Sequence, residues 1–206
     1  MTPDLDALAD QIIGAAEGAS RYLVALAGPP GAGKSVRGQW LCDAINERLP
    51  GRAGLVPMDG YHFDNAVLGE QQIPVKGAPH TFDVQGLRCD LERIRQADHP
   101  VAVPVFDRPL DLARAGGRLI SLEQHIVIVE GNYLLLDRSP WRELRPLFDW
   151  TLFLEVDDAV LVDRLVRRWL DMGQDHAGAI ERTHHKDMLN AQLVKRCCLP
   201  PDQCWR

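Results

Sequence analysis

No apolar run in the chain approaches the roughly 20 residues that a membrane-crossing helix requires. Nor is there an excess of positive charge to hold nucleic acid or an anionic membrane: the formal net charge is −6 over 206 residues. A site for an anionic ligand must therefore gather its positive charge locally. The start of the chain, with Asp4 and Asp6, lacks the basic-then-apolar pattern of a secretion signal. Metal-type cysteine spacing is missing too. The five cysteines (Cys42, Cys89, Cys197, Cys198, Cys204) include no Cys-x-x-Cys pair, which disfavours a zinc site built from the last three with His184 or His185. Their odd number fits reduced thiols and a cytoplasmic address. Internal repeats and low-complexity linkers are absent. These gaps leave one domain over 1–206, with a small lid over about 160–190 as its only expected subdivision. Neither nucleic acid nor membrane is an expected partner, and a homodimer is compatible.

What the chain does have is Gly28-Pro-Pro-Gly-Ala-Gly-Lys-Ser35, a Gly-x-x-x-x-Gly-Lys-Ser (Walker A) loop. The run Tyr22–Ala27 before it is short and apolar, so it reads as a buried strand. Val36, Trp40, Leu41, Ala44 and Ile45 follow at helical spacing. A glycine-rich turn between strand and helix lets successive backbone N–H groups face one point, where the helix N-terminus adds partial positive charge. Lys34 is placed to reach β- and γ-phosphates, and the Ser35 hydroxyl to ligate Mg²⁺. The loop predicts nucleoside triphosphate binding.

The rest alternates strands and helices. A leading amphipathic helix is expected over 3–19, a short strand over 54–58 with Pro57 marking a sheet edge, and a long loop over 60–82 of the functional kind. A helix from Val84 to Gln96 and strands over 101–106, 125–130 and 150–156 follow, the 125–130 run apolar enough for a central parallel strand. The last of these passes into a helix capped near Asp157 or Asp158. The tail 197–206 is too short and irregular to predict a final strand. The expected fold is a three-layer α/β arrangement with a mostly parallel sheet and its site at the strands' C-terminal ends.

Asp59, Glu130 and the loop all fall on that edge. Asp59, in Met58-Asp-Gly-Tyr-His62, either takes a proton from an attacking hydroxyl, joins the magnesium shell, or merely begins an Asp-Gly turn. Glu130, in Val129-Glu-Gly-Asn132, reads as an acidic magnesium partner or a strand-ending polar residue. Arg164, Arg167 and Arg168 lie on one helix at spacings that let two guanidinium groups share a face. They either grip phosphate oxygens or form a solvated face paired with Asp163 or Asp171.

Taken with Pro104-Val-Phe-Asp107 and Lys76-Gly-Ala-Pro-His-Thr-Phe-Asp83, these motifs resemble the phosphoribulokinase, uridine kinase and pantothenate kinase superfamily of P-loop kinases over roughly Tyr22 to Leu170. The chain is most similar to a bacterial branch labelled fructose transport system kinase or nucleoside kinase-like protein. The resemblance implies a P-loop kinase fold that uses ATP with Mg²⁺. It implies a cofactor-binding set of Gly28, Pro29, Pro30, Gly31, Ala32, Gly33, Lys34, Ser35, Val36 and Arg167, and a metal pair of Ser35 and Glu130. Lys34, Asp59, Arg164 and Arg168 would be catalytic, with Asp59 the base. Tyr61, His62, Lys76, His80, Asp83, Asp107 and Arg108 would line the acceptor pocket, although His80 or Asp83 can instead cap the helix from Val84, and His62 can be a packed loop histidine. His99, His125, His176, His184 and His185 read as surface or core. Asp-Gly-Tyr-His departs from the Asp-Ser-Phe-Tyr type of uridine kinases, which argues against uridine. The expected reaction moves the γ-phosphoryl group of ATP to a hydroxyl of a small sugar, nucleoside or pantothenate-like metabolite. The alternative is an ATPase or nucleotide-binding regulator with no small acceptor.

Overall fold

The computed structural model describes residues 4–206, so the first residue of the helix expected over 3–19 lies outside the described residues. In chain order the elements are α1 (Leu5–Ala15), β1 (Tyr22–Ala27), α2 (Lys34–Arg48), β2 (Ala53–Pro57), α3 (Asn65–Leu68), α4 (Val84–Gln96), β3 (Val101–Asp107), β4 (Leu112–Ile120), β5 (Ile126–Gly131), β6 (Trp150–Leu154), α5 (Asp158–Asp171), α6 (His176–Arg182), α7 (Met188–Cys197) and β7 (Gln203–Trp205). A π-helical turn, Thr183–Asp187, joins α6 to α7.

Five strands form a parallel sheet in the order β2–β5–β1–β6–β7. Alternation along β1 builds the two cores. Leu23, Ala25 and Ala27 face α4 and the loop segments, while Val24 and Leu26 face α1, α2 and α5. β5 repeats the pattern, with Val127 and Val129 on the first side and Ile126 and Ile128 on the second. Both faces of the central strands are covered, which is why their sequences read as continuous apolar runs. Each fully buried aliphatic side chain contributes about 1.5–3 kcal/mol relative to exposure.

The edge expected from Pro57 is there: β2 is the outermost strand on its side. Two elements differ from expectation. The tail does add a strand, because Trp205 buries its ring beneath the guanidinium of Arg37 and Asp202 accepts hydrogen bonds from the backbone N–H and hydroxyl of Thr151. The 101–106 run stays outside the main sheet, forming an antiparallel hairpin with β4. β4 escapes sequence reading because Arg114, Gly116, Gly117 and Arg118 interrupt any alternation.

The hairpin packs against the turn that carries Asp59. Gly60 makes this approach possible: a Cβ there would stand 2.2 Å from the carbonyl oxygen of Pro104. The 60–82 loop is closed at its base by pairing of His62 with Phe82, and by Asp83 N–H donating to Tyr61 O at 2.7 Å. Phe82 lies edge-on to Tyr133 and Trp141 beneath it. The loop is thus a folded wall. No helix among the described residues is long and apolar enough to cross a membrane.

Candidate active site

The phosphate loop bends through Gly31 (φ 81°) and Gly33 (φ 88°), left-handed conformations that favour glycine. A Cβ at Gly31 would also meet Leu165 of α5 at 3.0 Å. Lys34, the first residue of α2, is buried and its Nζ donates to Pro29 O at 2.9 Å, arching over the loop. Burial, opposed by the Glu130 and Asp59 charges, pulls its ammonium down to about 8. Ser35 Oγ donates to Glu130 Oε1 at 2.9 Å. Glu130, next to last in β5, lies beside Leu26 of β1 and Pro57 of β2, so the pleat itself delivers it to the loop. Burial and the neighbouring Asp59 push its carboxyl up to about 7. Arg164 reaches over from α5, its Nη1 donating to Gly31 O and Ala32 O, both at 3.3 Å.

Beyond the loop a cavity of about 260 Å³ opens, lined among others by Pro30, Asp59, His62, Lys76, Arg108 and Arg168. Asp59 Oδ2 accepts from Arg108 Nη2 at 2.5 Å. Burial raises the Asp59 carboxyl, but the Arg108, Lys34 and Arg168 charges outweigh it, so the group sits below the usual carboxylate range and is ionised. The His62 ring is wedged between Phe82 (4.0 Å) and Phe106 (4.6 Å), its Nδ1 donating to Asp59 O at 2.7 Å. Lys76 is buried; its Nζ donates to Asn65 Oδ1 and to Asp111 O and Oδ2. Asp111 adopts φ 52° at the hairpin tip, a conformation aspartate tolerates better than most residues.

A phosphate loop with buried lysine, serine and strand-end carboxylate, facing a cavity with an ionised aspartate, is the layout of a phosphoryl-transfer site. A crystal structure of a "putative fructose transport system kinase" from Silicibacter sp. TM1040 superposes with a TM-score of 0.93 and 39% identity, covering 99% of this chain and 100% of that one. A "putative uridine kinase" of Schizosaccharomyces pombe is 34% identical over 192 residues, covering 88% of this chain and 81% of that protein. The chain belongs to the uridine kinase, pantothenate kinase and phosphoribulokinase superfamily of P-loop kinases. YFH7 of Saccharomyces cerevisiae, "a putative P-loop containing kinase with a circular permutation", shares the fold at TM-score 0.87 and 19% identity, over 98% of each chain. No family model matches the sequence. The protein is a small-molecule kinase that uses ATP.

The kinase brings Asp59, His62, Lys76, Arg108 and Arg168 to one cavity, with Lys34, Ser35, Glu130 and Arg164 at the phosphate loop beside it. Four of the seven residues expected in the acceptor pocket (Tyr61, His80, Asp83 and Asp107) are not in the cavity lining, and Arg167 is not at the nucleotide loop. Arg167 points to solvent and pairs with Asp163 at 3.4 Å, the solvated-face alternative. Tyr61 buries its ring and donates its hydroxyl to Asp90 at 2.9 Å. His80 is exposed with Nε2 on Gln72 Oε1, and Asp83 caps α4 by accepting from Gly86 N–H at 2.8 Å. Asp107 braces the hairpin through Arg114 (3.2 Å) and Leu110 N–H (3.3 Å).

The structure adds lining residues that sequence reading missed: Phe106, Asp111, Asn132, Trp169, Gln174, Arg182, Lys186, Asp187 and Asn190. Arg182, Lys186 and Asn190 recur every fourth residue, a helical face visible in the sequence but lacking a motif to mark it. All five cysteines are free, and no group of three metal-binding His, Cys, Asp or Glu side chains is found among the described residues.

Proposed function

We propose that this kinase transfers the γ-phosphoryl group of ATP in line to a hydroxyl of a small metabolite held in the cavity beyond the phosphate loop. The observation that carries this reading is Asp59: an ionised carboxylate held by Arg108 between the buried Lys34 and the open cavity. There it orients the acceptor hydroxyl and takes its proton, while Lys34 and the loop amides neutralise charge on the phosphates.

Ser35 and Glu130 offer hard oxygen donors side by side at the phosphate loop, a donor set that fits Mg²⁺, which binds through one or two protein oxygens plus substrate phosphates. When bound, Mg²⁺ supplies charge neutralisation on the phosphate oxygens. Arg164 and Arg168 lie on the same helix, one on the loop carbonyls and one facing the cavity. The segment 160–190 acts as a lid over the single domain. Its support is that α5 and α6 wall the cavity and meet at Gly173, whose φ of 87° marks a sharp reversal. Closure excludes water that would otherwise compete as acceptor.

The test is ADP release from Mg-ATP across fructose, other sugars, nucleosides, pantothenate and glycerate, with Lys34→Ala as the blank. One acceptor that raises turnover well above the no-acceptor rate establishes the reading. Acceptor-independent turnover alone would replace it with an ATPase.

A further inference from the structure

Most charged groups lining the cavity are already engaged. Lys76 is held by Asn65 and Asp111, and Arg108 by Asp59. Arg168, Arg182 and Lys186 line the same cavity, yet none makes an ion pair among the described residues. The Arg168 charge is felt at Lys34 and Asp59, which places it at the transfer end. The other two lie on α6 and the π-helical turn, with Arg182 on the same Trp169 ring that Arg168 overhangs.

Their setting is built. Trp169 is buried and its Nε1 donates to Asp187 Oδ2 at 2.6 Å, which fixes the indole. The Arg182 guanidinium stacks over that indole at 4.1 Å. A stacked guanidinium keeps its N–H edge for an acceptor in its own plane. The Arg182 Nε is buried and has no hydrogen-bond partner among the described residues, a buried donor left open on the cavity side of the stack. Lys186 lies one helical turn on, and burial together with the Arg182 charge lowers its ammonium below the ordinary value. Among the described residues neither cation makes an ion pair, and the carboxylate whose charge reaches both, Asp187, accepts from the Trp169 indole and is shared with Arg168. The π-helical turn, a form enriched at functional sites, carries Lys186 and Asp187.

We infer that Arg182 and Lys186 form an oxyanion subsite, so that the phosphoryl acceptor is a small hydroxylated compound bearing a carboxylate or phosphate group at the end opposite its reacting hydroxyl. This deepens the kinase reading above and rests on it. The anion docks in the plane of the Arg182 fork, with Lys186 as a point charge beside it, and the hydroxyl is thereby aimed at Asp59. Neutral sugars and nucleosides leave the two cations uncompensated and bind more weakly.

The experiment is calorimetric titration of wild type, Arg182→Gln and Lys186→Gln, each first saturated with Mg²⁺ and a non-hydrolysable ATP analogue. The probes are glycerate, a pentose phosphate, inorganic phosphate, fructose and uridine. The expected result is binding of at least one oxyanion probe to wild type, weakened about tenfold or more in each variant, with analogue affinity changed less than about twofold. The carboxylate and phosphate arms then tell which oxyanion fits. Lys186→Gln leaves the Trp169 stack intact, so it tests the subsite even if Arg182→Gln folds poorly. Loss of analogue affinity in the variants would assign both cations to the nucleotide and overturn the inference. So would binding of the neutral probes alone, or oxyanion binding equal in all three proteins. Failure of the analogue to bind wild type would instead overturn the kinase reading, and the inference with it.

Discussion

The donor end and the acceptor end of the cleft satisfy their charges in opposite ways. At the donor end Lys34 rests on Pro29 O, Ser35 on Glu130, and Arg164 on the carbonyls of Gly31 and Ala32. Every one of these partners is in the phosphate loop or on the strand edge beside it. At the acceptor end the hairpin, the 60–82 loop and the α5–α7 segment each contribute side chains, and Arg168, Arg182 and Lys186 make no ion pair among the described residues, sharing the charge of a single buried carboxylate, Asp187. The donor end is prearranged for one ligand common to the superfamily. The acceptor end is assembled from segments that share no motif, and its surplus positive charge awaits a ligand of opposite sign.

The comparison breaks most sharply at Lys34. Lys34→Ala is expected to lower turnover by roughly a thousandfold or more, since it removes the charge that neutralises the transferring group. Steady-state ADP release measures this, and residual activity within tenfold of wild type would show that the donor end is not organised around this lysine.

A smaller effect sharpens the acceptor end. Burial keeps the His62 ring neutral by lowering its titration below the ordinary value, against the pull of Asp59. A base lowered by folding contributes stability that is present above its unfolded value near 6.5 and is lost as pH falls through that range. Wild type is therefore expected to lose more Tm than His62→Gln between pH 7.5 and 5, as thermal unfolding at stepped pH would record. Parallel curves would mean that the ring is not held neutral.

The smallest expected effect is a control. Arg167 is 74% exposed in its side chain and pairs with Asp163, so Arg167→Ala is expected to change kcat and the KM for ATP by less than about twofold. A tenfold loss would place Arg167 at the nucleotide after all.

The same contrast explains what could be read in advance. The donor end was legible because its chemistry is local: eight consecutive residues set the turn, and apolar runs mark the strands that flank it. α4 was legible from Val84 to Gln96 because one amphipathic face decides it. At the acceptor end tertiary pairing decided. Tyr61 looked like a pocket residue until Asp90 took its hydroxyl, and Asp107 until Arg114 took its carboxylate. Arg182 and Lys186 carried no motif, and only the stack on Trp169 and the π-helical turn give them meaning. β4 and β7 were illegible for a related reason, since pairing and one buried tryptophan, not periodicity, hold them in place.

Asp59 is where the two ends meet, and Asp59→Asn tests the account most directly. With the acceptor that stimulates wild type, turnover and ATP-analogue binding would be measured side by side. The account predicts a loss of roughly a hundredfold to ten-thousandfold in acceptor-dependent turnover, with analogue affinity nearly unchanged. Turnover equal to wild type would contradict it.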